Sequence, residues 1–304
     1  MTNNKKFISI VIPAYNRSEY LGRCLDSVIS ATSGLGVGFE IMVVDNATLG
    51  DGISGIVAKY PSVNYIKNSV NIGMFGNWNK CIALASGEWV HILHDDDMVG
   101  SEFYIKYFSL AIKYPKVVMI ASPSIVIGPG DNEIYKVAPI VKTQGVLVDI
   151  MQLLALGNCF QPPSIVVRKT AYEIVGDFNE SFFYTADWEM WARVCAIGSV
   201  AYSPEHLSCY RVSDQNGTSK LELSGVTVIE SYRTSRELIL RYDLGNTNEL
   251  CNAAARQVIL SGIKTAIRGL ARGNLTLFVN QIHAVMEVAW LSFRTQSMVA
   301  GSNI

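Results

Sequence analysis

At 304 residues the chain can form one large α/β domain or a domain with a helical appendage. Hydrophobic residues make up 49% and charged residues 17%, which excludes a disordered chain, and a formal net charge of -1 leaves no field to attract nucleic acid. Cys24, Cys81, Cys159, Cys195, Cys209 and Cys251 are scattered with no CxxC pair, which suits reduced, buried thiols in a cytoplasm and not a disulfide framework or zinc site.

The first element is FISIVI (7–12), a β-branched, unbroken run of the kind buried on both faces of a parallel sheet. With its basic start it imitates a secretory signal. Yet the apolar run covers only Phe7 to Ala14 and meets Tyr15-Asn16-Arg17 with no cleavage site. After the turn PAYNRS, Leu21, Cys24, Leu25, Val28 and Ile29 recur at helical spacing. FEIMVVD (39–45) is a second strand, a helix near 53–60 stops at Tyr60-Pro61, and VNYIKN (63–68) is a third strand. Asn71 to Ser86 reads as a loop and helix closed by Gly87, and EWVHIL (88–93) as a fourth strand. Nowhere do about 18 apolar residues follow one another, so no membrane-spanning helix is expected.

Strand–helix alternation at this pace implies right-handed crossovers and a mostly parallel sheet. Ligands of such sheets bind beyond the carboxyl ends of the strands, where Pro13–Asn16, Asp45 and Asp95–Asp97 fall. Three adjacent carboxylates repel one another, and their place at a strand end moves the reading from a solvated acidic turn towards a ligand loop. In the second half, VVMIAS (117–122), SIVIG (124–128) and SIVVRK (164–169) read as strands and LVDIMQLLALG (147–157) as a helix. DWEMWARVCAIG (187–198) reads as a helix with Asp187 as N-cap and Trp188, Trp191, Ala192 and Cys195 on one face. From Leu221 onward only helical patterns remain, broken at Gly245-Asn246 and Gly273-Asn274.

SIVIPAYNR, IMVVDNAT, NIGMFGNWN, ILHDDD and DWEMW, in this order and spacing, resemble the family 2 glycosyltransferases over roughly residues 7–215. The resemblance implies a GT-A nucleotide-diphospho-sugar-binding fold and an inverting transfer. A departing nucleoside diphosphate gathers negative charge, which a cation held by carboxylates neutralises without a proton. Mn²⁺ and Mg²⁺ take oxygen ligands from one or two carboxylates, phosphates and water. In the family's L-D-x-D-D register, Asp97 becomes the direct metal ligand and Asp95 completes the D-x-D pattern, with Asp95 or Asp96 reaching the ribose or a metal-bound water. His94 stands where the commonest version has its leading Asp. Asp45 would accept the base's imide N–H, since a carboxylate only accepts, and Asn46 replaces a frequent second Asp. Pro13, Ala14 and Tyr15 would line the base and ribose, with Asn16 as a polar turn residue. Gly73 and Gly76 would admit close backbone approach, while Asn71 and Asn77 offer polar contacts to the nucleotide sugar or, equally, helix caps.

TADWEMW resembles the family's E-D-W-x-x-W, whose Asp takes the proton of the attacking acceptor hydroxyl. That catalytic role falls on Asp187, with Glu189 as understudy. Ala186 replaces the preceding Glu, and Ser213 stands where many members carry the His of Y-R-x-H, so a third metal contact is missing or comes from Asp214. His91, His206 and His283 read as structural. Gln161-Pro162-Pro163-Ser164 and Phe182-Phe183-Tyr184 flank the base and suit an acceptor sugar or the core equally.

Arg256, Lys264, Arg268 and Arg272 form a run with no acidic residue among them, beside Ile259, Ile263, Ile267 and Leu270. Such a helix can rest on anionic lipid or pack with its basic face in solvent. A stripe from Leu275 through Phe278, Ile282, Val285, Ala289 and Phe293 must bury against the domain, a partner subunit or a membrane. The expectation is an α/β GT-A domain over 1–220 with a mostly parallel central sheet, its nucleotide-sugar half about 1–100 and acceptor half about 101–220, and a C-terminal helical extension over 221–304. It would move a sugar from a UDP- or dTDP-sugar, with Mn²⁺ or Mg²⁺, to a saccharide or lipid-linked saccharide in cell-surface polysaccharide synthesis. Its place would be the cytoplasm, with the C-terminal helices peripheral at the membrane, a homo-oligomer compatible and nucleic acid excluded. One rival is a sugar nucleotidyltransferase, whose Gly-rich basic phosphate loop PAYNRSEYLGR lacks. The other is a catalytically degenerate binding subunit, suggested by Ala186 and Ser213.

Overall fold

Every residue of strand β1 (Ile8–Ala14) is buried, and all but the first of β2 (Phe39–Asp45), as befits strands covered on both faces. The computed structural model describes residues 6–213 and 217–301. The chain divides into two compact units: Met1–Val148, Phe160–Phe178 and Arg193–Val212 form one, and Asp149–Cys159, Asn179–Ala192 and Ser213–Ile304 the other.

In the first unit β3 (Val63–Lys67), β4 (Trp89–Ile92), β5 (Met98–Val99), β6 (Met119–Ala121), β7 (Ser124–Ile127), β8 (Glu133–Lys136), β9 (Gly145–Val146), β10 (Ile165–Arg168), β11 (Val200–Tyr202) and β12 (Ser208–Arg211) follow. Eight strands form one sheet in the order β3-β2-β1-β4-β10-β6-β11-β9. The expected parallel run is β3-β2-β1-β4, while β10 lies antiparallel to both β4 and β6. A second sheet, β5-β12-β7-β8, was not foreseen: of its strands only β7 is read from sequence, and the others, two to four residues long, are too short for a periodicity to register. Register sets Ala14 beside Asp45 and Asp45 beside Lys67, and Leu93 N–H bonds to the Val11 carbonyl. The loops after β1, β2 and β4 therefore leave one rim.

Helix Leu21–Thr32 buries Leu21, Cys24, Leu25 and Val28, the face its spacing predicts. A helix unforeseen from sequence, Phe103–Lys113, buries Phe103, Tyr104, Tyr107 and Leu110, with the Phe103 and Tyr107 rings stacked at 4.0 Å. His91 is structural, bonded to the Tyr104 hydroxyl at 3.0 Å and the Pro163 carbonyl at 3.1 Å.

In the second unit, helices Val226–Arg241, Thr247–Ala271 and Leu275–Gly301 break at the two Gly-Asn pairs as expected. Val228, Tyr232, Ala255, Val258, Ala284 and Val288 form their core. A Cβ at Gly262 would lie 2.6 Å from Val285, so that contact needs glycine. The expected stripe is corrected: the last helix buries Gln281, Ala284 and Val288, while Leu275 and Phe293 are exposed, because the packed face is turned by one residue from the predicted one. Among the described residues no helix is long and apolar enough to cross a membrane, and all six cysteines are free.

Candidate nucleotide-sugar and metal site

The loop after β1 turns at Asn16, a non-glycine residue at φ 49°, a conformation asparagine tolerates better than most residues. Its N–H donates to Thr48 Oγ1 (2.9 Å) and its Oδ1 accepts the Leu49 N–H (3.3 Å), tying this loop to the one after β2. Pro13 and Ala14 are buried and Tyr15 is 46% exposed, so the ring of Tyr15 can receive a ligand. The buried Asp45 carboxylate accepts the Thr48 N–H (2.9 Å) and the Tyr65 hydroxyl (2.6 Å), leaving lone pairs on each oxygen. Burial and this carboxylate push the Tyr65 phenol well up, so it remains a donor.

Asn46, not foreseen as an organiser, donates to Asn71 Oδ1 (2.8 Å) and the Gly73 carbonyl (2.9 Å) and accepts from Asn68 and the Ile72 N–H. Gly73 sits at φ 79°, which requires glycine there. The expectation for Asn77 needs correction: it is buried, and both amide ends are engaged, by Asn68 and by the Val44 carbonyl. It braces the loop and has no exposed face for a nucleotide. Asn71 and Gly73 are exposed.

Asp95, Asp96 and Asp97 are all buried, a costly arrangement unless cations answer them. Two arginines do. Arg17, within PAYNR, donates through Nε to Asp95 Oδ1 (3.0 Å), closes a second contact there through Nη2, and reaches Asp96 Oδ2 through Nη1 (2.8 Å). Arg211, wholly buried, gives its backbone N–H to Asp97 Oδ1 (2.8 Å), Nε to the Asp96 carbonyl (2.7 Å) and Nη1 to the Gly128 carbonyl (2.7 Å), and its Nη2 forms an ion pair with Asp131 (2.6 Å). Sequence reasoning missed both; the arginines of PAYNR and YRVS were the available signal.

Asp97 Oδ2 has no hydrogen-bond partner although Asp97 is 1% exposed. His94 Nδ1 lies 3.9 Å from it, and the His94 ring stacks on Trp78 at 5.1 Å. Ligand atoms of His94, Asp96 and Asp97 lie within 4.8 Å of one another, so these residues can hold a cation. Asp95, expected as a ligand, is instead committed to Arg17 and lies outside that cluster. Burial, then the adjacent Asp96, raises the Asp97 carboxyl well above its ordinary range, and burial holds Asp95 at about 7 despite Arg17. Burial also lowers His94 to about 4, leaving it a neutral imidazole. Asp214 lies outside the described residues.

Asp187 belongs to the second unit. Helix Ala186–Ile197 starts one residue earlier than predicted, so Asp187 lies in its first turn and is not the N-cap. Half-buried, it accepts the Trp188 N–H (2.7 Å) and Asn158 Nδ2 (3.3 Å). Burial raises its carboxyl to about 6; those two bonds oppose the rise and Glu230 adds to it. Glu230, from helix Val226–Arg241, accepts the N–H groups of Tyr184 (2.6 Å) and Thr185 (2.7 Å), fixing the approach to Asp187. The helical extension thus takes part in supporting this carboxylate. Glu189 is buried and paired with Arg241 (3.2 Å), a structural place that removes it as understudy.

The family model described as "Glycosyl transferase family 2" matches residues 9–159. An uncharacterised glycosyltransferase of Haemophilus influenzae is 23% identical over 224 residues, 71% of this chain and 68% of that protein. Among solved structures, S. aureus TarS 1-349 in complex with UDP-GlcNAc superposes with a TM-score of 0.59 at 12% identity, covering 92% of each chain. The mannosyltransferase PcManGT of Pyrobaculum calidifontis, in complex with GDP-Man and Mn2+, gives 0.56 at 16% identity over 94% of this chain and 88% of that one. The fold is GT-A, and the chain belongs to family 2 of the glycosyltransferases.

Proposed function

We propose that the chain transfers a sugar from a UDP- or dTDP-sugar, with Mn²⁺ or Mg²⁺, to a hydroxyl of a saccharide or lipid-linked saccharide, with inversion. The observation that carries this reading is the buried Asp97 Oδ2 without a partner, on the rim shared with Asp45 and Tyr15. The UDP-GlcNAc complex named for TarS supports the donor class, and the Mn2+ named for PcManGT, whose donor is GDP-Man, supports the metal. A bound cation supplies charge opposite the departing diphosphate. Asp45 orients the base through its remaining lone pairs, and Tyr15 packs against base and ribose. Arg17 is placed to balance carboxylate and phosphate charge. Asp187 takes the acceptor's proton as its oxygen attacks, which inversion requires. Tyr184, three residues before it, suits a sugar face.

The acceptor is proposed to reside at the inner face of a membrane in surface-polysaccharide assembly. Arg256, Lys264, Arg268 and Arg272, with no acid between Glu249 and Glu287, and the exposed Ile267, Leu270 and Leu275 suit an anionic lipid surface. The test is calorimetry of UDP, dTDP and GDP with and without Mn²⁺, on the wild type and Asp97→Ala. Pyrimidine diphosphates should bind tightest and only with metal, and Asp97→Ala should abolish the metal response. Tightest binding of GDP overturns the Asp45 role; an unchanged metal response in the variant overturns Asp97.

A further inference from the structure

We infer that His94 is a protein ligand of the metal and that its nitrogen makes the site favour Mn²⁺ over Mg²⁺. This rests on the metal reading above and names who completes the ligand set.

The carboxylates available are fewer than the triplet suggests. Asp95 is held by two Arg17 nitrogens, and Asp97 Oδ1 is taken by the Arg211 N–H. What remains is Asp97 Oδ2, which has no hydrogen-bond partner, in a group where ligand atoms of His94, Asp96 and Asp97 lie within 4.8 Å of one another. His94 Nδ1 lies 3.9 Å from Asp97 Oδ2. Two ligands on one ion, at bonds of about 2.0–2.2 Å, sit at most about 4.4 Å apart, so both atoms can bind the same cation. Stacking on Trp78 fixes the ring plane. A half-buried ring beside a buried carboxylate oxygen that has no hydrogen-bond partner leaves room for an ion between them.

The donor type then sets the metal. Mg²⁺ wants oxygen in a near-ideal octahedron, whereas imidazole nitrogen favours transition metals, increasingly from Mn²⁺ towards Co²⁺. A carboxylate at position 94 would give an all-oxygen set without that bias.

The full chain is titrated with Mn²⁺, Co²⁺ and Mg²⁺ alone, following Trp78 fluorescence and calorimetric heat, and bound Mn²⁺ is probed by electron spin-echo modulation. The wild type should show ¹⁴N coupling from one imidazole and an affinity order Co²⁺ > Mn²⁺ > Mg²⁺. His94→Ala should lose the coupling and weaken Mn²⁺ by about 10–100-fold, at least the effect of losing an outer-shell partner. His94→Asp should restore binding without ¹⁴N coupling, and its Mn²⁺-to-Mg²⁺ ratio should fall towards one; it also controls for misfolding of the alanine variant. Mn²⁺ that binds the wild type without ¹⁴N coupling, or equal ratios in wild type and His94→Asp, overturns the assignment of His94. If no metal binds the wild type at all, the metal reading falls and this inference with it.

Discussion

A base must be ionised to accept a proton, and the Asp187 carboxyl is held up at about 6. If Asp187 serves the transfer, kcat/KM should be full above that pH and disappear as pH falls through it. With such a pKa about one-tenth of the carboxylate remains ionised at pH 5 and about nine-tenths at pH 7. Replacing Asp187 with Asn keeps size and one accepting oxygen but removes the proton acceptor, so transfer should drop about 10²–10⁴-fold. Two neighbours give a sharper test because they push in opposite directions. Glu230 raises the carboxyl by its negative charge, and Glu230→Gln keeps the acceptor for the Tyr184 and Thr185 N–H groups, so the acidic limb should move to lower pH. The Asn158 amide favours the ionised form from 3.3 Å, so Asn158→Ala should move the limb to higher pH. The assay is initial-rate release of nucleoside diphosphate from pH 4.5 to 8.5, with donor binding measured in parallel. Wild-type turnover in folded Asp187→Asn, or limbs moving the same way in the two neighbour variants, would refute the assignment.

Glu40 is buried, yet hydrogen bonds from Lys6, Ser9 and Ser86 outweigh burial and bring its carboxyl to about 2. A folded value below the unfolded one adds stability that is complete above about pH 4.5 and lost as pH falls towards 2. Glu40→Gln should therefore cost ~3 kcal/mol at pH 7 in urea melts and little near pH 2, and an equal loss at both would refute it. Arg211→Met leaves the Gly128 and Asp96 carbonyls without their donors and should cost about 1–3 kcal/mol for each, read in urea melts, and on the proposed metal reading it should also weaken Mn²⁺ binding at Asp97. The helix pair Thr247–Ala271 and Leu275–Gly301 should pellet with anionic vesicles at low salt and release near 1 M, each basic residue being worth about 1 kcal/mol at such a surface. Failure to pellet even at low salt removes the membrane contact.

The first half was readable because its leading strands, β1 and β2, are long and buried and its strands end in chemically distinctive turns. β1 and β2 are seven residues each, and the acidic loop follows β4 by two residues. The second sheet was not readable, since short strands such as β5 and β12 carry no period and owe their form to pairing partners distant in sequence. The same limit applies to side chains. Three aspartates in a row announce a charge problem, but which oxygen is left over depends on Arg17, 78 residues from Asp95, and on Arg211, 114 residues from Asp97. With Asp95 paired to Arg17 and Asp97 Oδ1 bonded by the Arg211 N–H, the atoms left for the proposed cation are Asp97 Oδ2 and those of Asp96 and His94. The sequence motif locates the loop, and the arginines that balance it decide which of its atoms are left over.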